Sequence, residues 1–194
     1  PITCGTGFTI NSVVSSPSLT WAQRNAVDDG NQALFDWTAD NITAVAHAIT
    51  ITFSGSAPYR GAFAKEIINT SGYDAATSAA HAAAVTASPG TGADGITTGN
   101  TSALSAQPAL ISAATISTNT VALATAGTGF TSDGVGWSFG GNAGTSESKR
   151  VTATTALAAT FTAPSNVPFD SVASVFLALT GGGAATATTF TGPS

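Results

Sequence analysis

Short apolar or alternating runs, separated throughout by clusters of Gly, Pro, Asn, Asp and Ser, punctuate this chain. That is the pattern of many short strands rather than of helices, and it predicts an all-β protein. The clearest run is Ala44 to Phe53, where Val45, His47, Ile49, Ile51 and Phe53 share one face and Ala46, Ala48, Thr50 and Thr52 the other. It stops at the turn cluster Ser54-Gly55-Ser56-Ala57-Pro58. Arg60 to Ile68 sets Phe63, Lys65 and Ile67 against Ala62, Ala64 and Glu66, and Leu157 to Ala163 alternates in the same way. Ser171 to Leu179 is apolar on both faces, which predicts a central strand in a sheet covered on both sides.

Weaker strands are expected at Phe8 to Val14, Leu19 to Arg24, Ala33 to Thr38, Ala109 to Ser117, Val121 to Ala124, Val135 to Phe139 and Lys149 to Thr154. Together these suffice for a two-sheet antiparallel β-sandwich. The Ala-rich stretch Tyr73 to Val85 reads as an irregular excursion in preference to a short helix. Ala87 to Gln107, almost without bulky side chains, reads as a long surface loop. One domain over residues 1–180 is expected. The light Gly/Ala/Thr stretch 181–194 is expected to be a flexible tail or to lie along a neighbouring subunit.

Charge is scarce. Five Lys or Arg and ten Asp or Glu are spread over 194 residues, whereas about a quarter of an ordinary soluble domain is charged. The surface is therefore expected to be Ser, Thr, Asn, Gly and Ala, which suits a packed, assembled or extracellular protein. Positive mean hydropathy and a net charge of only -5 argue against disorder. No apolar run is long enough to span a membrane, so membrane insertion is not expected. The mild acidity argues against nucleic-acid binding, and Lys149-Arg150, the sole adjacent basic pair, reads as a solvated strand end. Cys4 is alone, which excludes an intrachain disulfide and a multi-cysteine zinc site. It is either a buried small hydrophobe, the favoured reading, or half of an intermolecular bridge. The chain opens Pro1-Ile2-Thr3-Cys4-Gly5 and contains no Met; no secretory signal is read there, and compartment is not legible from it.

A series of landmarks runs from Leu19-Thr20-Trp21-Ala22-Gln23-Arg24 through Leu34-Phe35-Asp36-Trp37 and Ile49-Thr50-Ile51-Thr52-Phe53-Ser54-Gly55. It continues with Ala64-Lys65-Glu66-Ile67, Ser71-Gly72-Tyr73-Asp74, the light Thr/Gly/Ser loop, Gly136-Trp137, Phe161 and the Val172 to Leu179 strand. In this order they resemble jelly-roll-like β-sandwich modules of tailed-phage virion proteins and bacterial surface proteins. The resemblance covers Leu19 to Leu179 and leaves the first eighteen residues unmatched. It implies a fold and a setting but no reaction.

The residues themselves offer little chemistry. Trp21 and Trp37 are expected to bury their rings between the sheets. Glu66 needs a partner or solvent, and a structural hydrogen bond is the favoured reading. Asp28-Asp29-Gly30-Asn31 reads as a hairpin turn, without the regular spacing of a calcium loop. Asp133-Gly134 and Gly127-Thr128-Gly129 also read as turns. Asp36 and Asp40 flank Trp37, an arrangement a sugar site could use but not a diagnostic one. His47 and His81 are isolated; His47 is expected to be a hydrogen-bonded core or interface residue. No metalloprotease, nucleophile-elbow or phosphate-loop motif is present. Sequons stand at Asn41, Asn69 and Asn100.

These observations lead to a non-enzymatic virion structural protein: a capsid-decoration, head-fibre or tail-associated sandwich whose partners are its own copies and other virion proteins. No catalytic residue, metal or cofactor is assigned. One alternative is a carbohydrate-binding or adhesive surface module, with Trp37, Tyr59, Tyr73 or Trp137 stacking on a glycan. The other is a self-assembling extracellular filament subunit in which either end of the chain is donated to a neighbour as a strand.

Overall fold

A computed structural model describes residues 1–43, 45–74, 83–85, 95–106, 108–117, 123–162, 168–179 and 186–191. Among these residues there is no helix, and the chain folds into antiparallel sheets, as the punctuated sequence pattern requires. In chain order the strands are β1 (Ile2–Gly5), β2 (Ile10–Ser16), β3 (Trp21–Asp28), β4 (Gln32–Ala39), β5 (Ala48–Phe53), β6 (Gly61–Ile68), β7 (Thr70–Tyr73) and β8 (Ala83–Val85). They continue with β9 (Gly95–Asn100), β10 (Ala109–Ser117), β11 (Thr125–Ala126), β12 (Thr131–Phe139), β13 (Asn142–Val151), β14 (Ala158–Thr162), β15 (Phe169–Ala178) and β16 (Thr186–Thr191).

Two large sheets form the sandwich. One has the order β16-β6-β1-β4-β3, the other β12-β13-β10-β15-β7 with β8 also paired to β15. Between them lie Val27, Leu34, Phe63, Ala114, Ile116 and Val172, with Trp137 against them. Each large sheet is covered on its far face as well. The β2-β5 ribbon closes over Ile2, Cys4, Ala33 and Phe35, while the small β11-β14-β9 sheet closes over Ile111, Ala113, Ala173 and Val175. The expected sandwich is thus the middle of a four-layer stack.

That layering explains the sequence of the central strands. Along β4, Leu34 faces the opposite large sheet, and Ala33 and Phe35 face the ribbon. Along β15, Val172 faces one way, Ala173 and Val175 the other, and every residue from Phe169 to Phe176 is buried. Neither face meets water, so both are largely apolar, and the strand's polar residues Asp170, Ser171 and Ser174 are buried with them. β10 occupies its expected residues and pairs over its whole length with β13 and β15.

Several expectations are corrected. Residues 95–100 are not surface loop: they form β9, which pairs with β14 and buries Ile96 and Thr98, whereas 101–106 are loop with Thr101 and Leu104 turned inward. The strand expected to start at Ala44 begins at Ala48, and the one placed at Lys149 to Thr154 is the end of β13, which starts at Asn142. Within the stretch read as a light tail, Thr186–Thr191 forms β16 and pairs with β6 of its own chain. Asp133-Gly134 is not a turn but a bulge within β12, where register shifts between Ser132 and Gly136 and Gly134 has φ +73°. Of the excursion from Tyr73 to Val85, Tyr73 ends β7 and Ala83–Val85 forms β8, while 75–82 lie outside the described residues, as do Val121 and Ala122. The Asp28 to Asn31 segment is the expected hairpin turn: Gly30 has φ +89°, and Asp28 accepts hydrogen bonds from Gly30 N, Gly7 N and Thr6 Oγ1.

Candidate functional site

Among the described residues, the strand at the centre of the five-stranded sheet is shorter than both its neighbours. β1 is four residues long and lies between two strands of eight. It pairs with β4 from Ile2↔Phe35 to Gly5↔Gln32, and with β6 at Ile2↔Ala62 and Thr3↔Gly61. The Phe63 N–H still reaches the carbonyl of Pro1, at 3.2 Å. Beyond that point β4 continues to Ala39 and β6 to Ile68, with no strand between them among the described residues. Strands two positions apart are separated by about 9.5 Å, so the gap is one strand wide. Being antiparallel to β1, both β4 and β6 run in the same direction.

Alternation fixes which backbone groups face this slot. The Phe63 N–H points inward to Pro1, and Ile2 and Phe35 are opposite each other across β1 and β4. Each following second residue therefore points the same way: Lys65 and Ile67 on β6, Trp37 and Ala39 on β4. Their N–H and C=O groups have no backbone partner among the described residues. On the other sides, β4 is paired to β3 and β6 to β16. The slot's far end is marked symmetrically, since both flanking strands run into an asparagine in the left-handed region, Asn41 at φ 58° and Asn69 at φ 59°.

The slot is part of a cleft of about 1130 Å³ that passes through the sheet. On the ribbon side it is lined by Trp21, Trp37, Ile49, Ile51 and Phe53. Trp21 Nε1 donates to Ser15 Oγ at 3.2 Å, whereas Trp37 Nε1 is buried with no hydrogen-bond partner. Both rings are half-buried against the ribbon rather than between the two large sheets, because odd-numbered β4 residues face outward there. On the inner side the lining is Asp36, Lys65, Ser112, Val172, Ser174 and Phe176. Asp36 accepts from Ser174 Oγ.

Lys65 is the charged group that sequence reasoning passed over in favour of its neighbour Glu66, which is exposed. Lys65 is buried, ion-paired to Asp133 from the β12 bulge, and donates to Ser112 Oγ at 2.9 Å. Burial lowers its pKa, against the opposing charge of Asp133. Next to it, burial pushes Glu147 up to about 7, although Glu147 accepts a 2.8 Å bond from Gly127 N. Asp170 rises to about 8 by burial and by the charges of Asp29 and Asp28, and neither of its oxygens has a hydrogen-bond partner. Lys65, Asp133 and Glu147 link the two large sheets and the edge of the small sheet. Asp133 also accepts from Ser148 Oγ at 2.7 Å, and among the described residues no cluster of His, Cys, Asp and Glu could hold a metal ion.

The four aromatic residues considered for glycan stacking do not form one platform. Trp37 and Tyr59 line the cleft. Tyr73 meets Phe176 edge-on and lies beneath the Arg24 guanidinium, 4.0 Å from its ring centre. Trp137 packs on Phe63 at 4.4 Å and covers Gly144, its cross-strand partner, so closely that a Cβ there would fall 2.1 Å from the indole. Asp40 lies at the slot's far end, 3.5 Å from Arg24 Nη2, and Asp36 lies at its near end. His47 is half-buried at the cleft wall, with Nδ1 3.1 Å from the Pro17 carbonyl. Cys4 is buried, as favoured.

No protein-family model matches the chain, and neither a curated protein nor a solved structure matches it.

Proposed function

We propose that this chain is a non-enzymatic structural module that works through contacts between subunits, as a capsid-decoration, head-fibre or tail-associated component of a virion does. The observation that carries this reading is the concentration of exposed apolar side chains around one cleft. Of the eight large hydrophobic residues left exposed among the described residues, Ile42, Ile49, Tyr59 and Ile68 all line it. Scattered exposed aliphatics are ordinary, but a contiguous apolar rim around a concavity marks a contact surface. The remaining surface supports the same reading, because few long charged side chains lose rotamer freedom when such a surface is covered.

Light scattering coupled to size-exclusion chromatography, run on the chain and on Ile49→Ser/Ile68→Ser, tests it. Both side chains are exposed, so the variant keeps its fold. The parent chain is expected to self-associate or to co-elute with disassembled particle components, and the variant to do so at least about tenfold more weakly. A parent chain that stays monomeric and joins no particle would sink the proposal.

A second reading is supported by the aromatic and acidic lining of the same cleft. Trp21, Trp37 and Tyr59, with Asp36 and Asp40, are the residue types that hold a sugar. A glycan array separates the two: saccharide binding abolished by Tyr59→Ala would favour the adhesive module.

A further inference from the structure

We infer that Lys65 and Asp133 condense in the folded protein, with no other molecule taking part, into an amide that joins the two large sheets covalently. The ion pair described above is the state before reaction. Both side chains are only 4% exposed, and Lys65 Nζ is in direct contact with Asp133 Oδ2. The site is walled by aromatic rings: Phe63 and Trp137 pack at 4.4 Å, and the Phe63 ring centre lies 5.8 Å from Nζ. Apolar side chains often serve a core as well as a buried ion pair does, yet here a bulge is given over to the pair. Residues 133–135 of β12 oppose Ser146 alone, and Gly134 at φ +73° lets the chain present Asp133 inward.

The surrounding polar atoms are placed for a condensation. Of the three ammonium hydrogens of Lys65, one faces Asp133, and the others go to Ser112 Oγ at 2.9 Å and the Glu147 main-chain carbonyl at 3.4 Å. When the first passes to Asp133 Oδ2, the two remaining N–H groups stay anchored, so the freed lone pair points at the carboxyl group. Burial favours that transfer: lost hydration lowers the pKa of Lys65, against the opposing charges of Asp133, Asp36 and Glu147. Negative charge develops on Asp133 Oδ1 as the nitrogen adds to Cγ, and Oδ1 already accepts from Ser148 Oγ at 2.7 Å.

The atoms balance within the pair. Nζ bonds to Cγ, the Cγ–Oδ2 bond breaks, and Oδ2 leaves as water carrying two of the ammonium hydrogens. The third stays on the amide nitrogen; nothing is oxidised or reduced, and no co-reactant is consumed. The product inherits its precursor's partners, with Ser112 Oγ or the Glu147 carbonyl for the amide N–H and Ser148 Oγ for the amide oxygen. Two buried charges become one neutral, hydrogen-bonded amide. Each chain reacts once, so this is maturation of the fold and not enzymatic turnover.

Intact-mass spectrometry on the full chain, made by cell-free synthesis and sampled into denaturant over time, reads the reaction. The folded parent is expected to become lighter by one water, and its proteolytic digest to yield a branched peptide joining Lys65 to Asp133. Lys65→Met/Asp133→Leu fills the site with apolar side chains; it should give no branched peptide and migrate more slowly than the parent on a denaturing gel. Ser148→Ala, with an unchanged circular dichroism spectrum, should reach the same product at least about tenfold more slowly. An unchanged rate in that variant would overturn the step as written. Asp29-Gly30 and Asp133-Gly134 can also lose water, by cyclising onto the next backbone nitrogen. A water loss that hydroxylamine removes and that joins no peptides therefore overturns the proposal. So does a parent that keeps its full mass after prolonged incubation in the folded state.

Discussion

Replacing Asp170 by Asn should make this protein more stable at neutral and alkaline pH and remove much of its pH dependence. Asp170 sits in β15, fully buried, with no hydrogen-bond partner for either carboxyl oxygen and with Asp28 and Asp29 near enough to oppose its ionisation. Burial is the larger cause of its rise to about 8, from 3.8 in an unfolded chain. Between those two values the folded state holds a proton that the unfolded state releases, so unfolding becomes easier as pH rises. At about 1.4 kcal/mol per unit the full interval sets a ceiling of roughly 6 kcal/mol, and relaxation around the carboxylate brings the realised loss to about 2–3 kcal/mol. For a chain of this length that corresponds to roughly 4–12 °C in Tm. Thermal melts from about pH 4 to about pH 9 should therefore show the parent protein losing stability as pH rises, with Asp170→Asn following a shallower slope. Glu147, raised to about 7, adds to the slope in the parent and is left in the variant. Asp28 acts oppositely. Burial disfavours its charge, but bonds from Gly30, Thr6 and Gly7 outweigh burial and hold its pKa down, so its contribution is lost at the acid end. A parent Tm that is flat or rising through the neutral range, or a variant with an unchanged slope, would refute the argument.

Lys65→Met strands a buried Asp133 carboxylate and should cost about 3–5 kcal/mol in urea unfolding, most of it regained in Lys65→Met/Asp133→Leu. Gly127→Ala would place a Cβ 1.7 Å from the Thr160 carbonyl oxygen, a backbone atom, so the β11 edge must move; a loss of about 3 kcal/mol or more is expected in the same assay. The Cys4 thiol is buried and its pKa is pushed up to about 11 by burial and by Asp28. A thiol reagent at neutral pH should leave it unmodified in the folded protein and label it fully in denaturant.

Strands were legible in the sequence wherever neighbouring side chains contrast strongly. Ile49, Ile51 and Phe53 against Thr50 and Thr52 reveal β5, and the apolar run of Val172 to Leu177 reveals both β15 and its covered position. Contrast vanishes where Thr, Ser, Ala and Gly alternate with one another. Thus β9, β16 and most of β13 are silent in sequence, although Thr98, Thr145, Ser146 and Glu147 are buried. Their polar groups are accommodated by long-range pairing, as when Thr98 Oγ1 receives the Ala159 N–H at 3.1 Å. The cleft was illegible for a different reason. Its walls come from residues within 36–42, 47–53, 57–72, 112–114 and 172–176, which no spacing rule joins. The Lys65–Asp133 link was missed likewise, since only the β12 bulge turns Asp133 inward.

The order β16-β6-β1 has a mechanical corollary. The first and last described strands lie in one sheet with only β6 between them. Tension applied between residue 1 and residue 191 therefore passes through two ladders in series, six residue pairs from β16 to β6 and two from β6 to β1. The shorter ladder is the fuse. Load would open it first, and the Lys65 tether to Asp133 on β12 would then carry the force into the second large sheet.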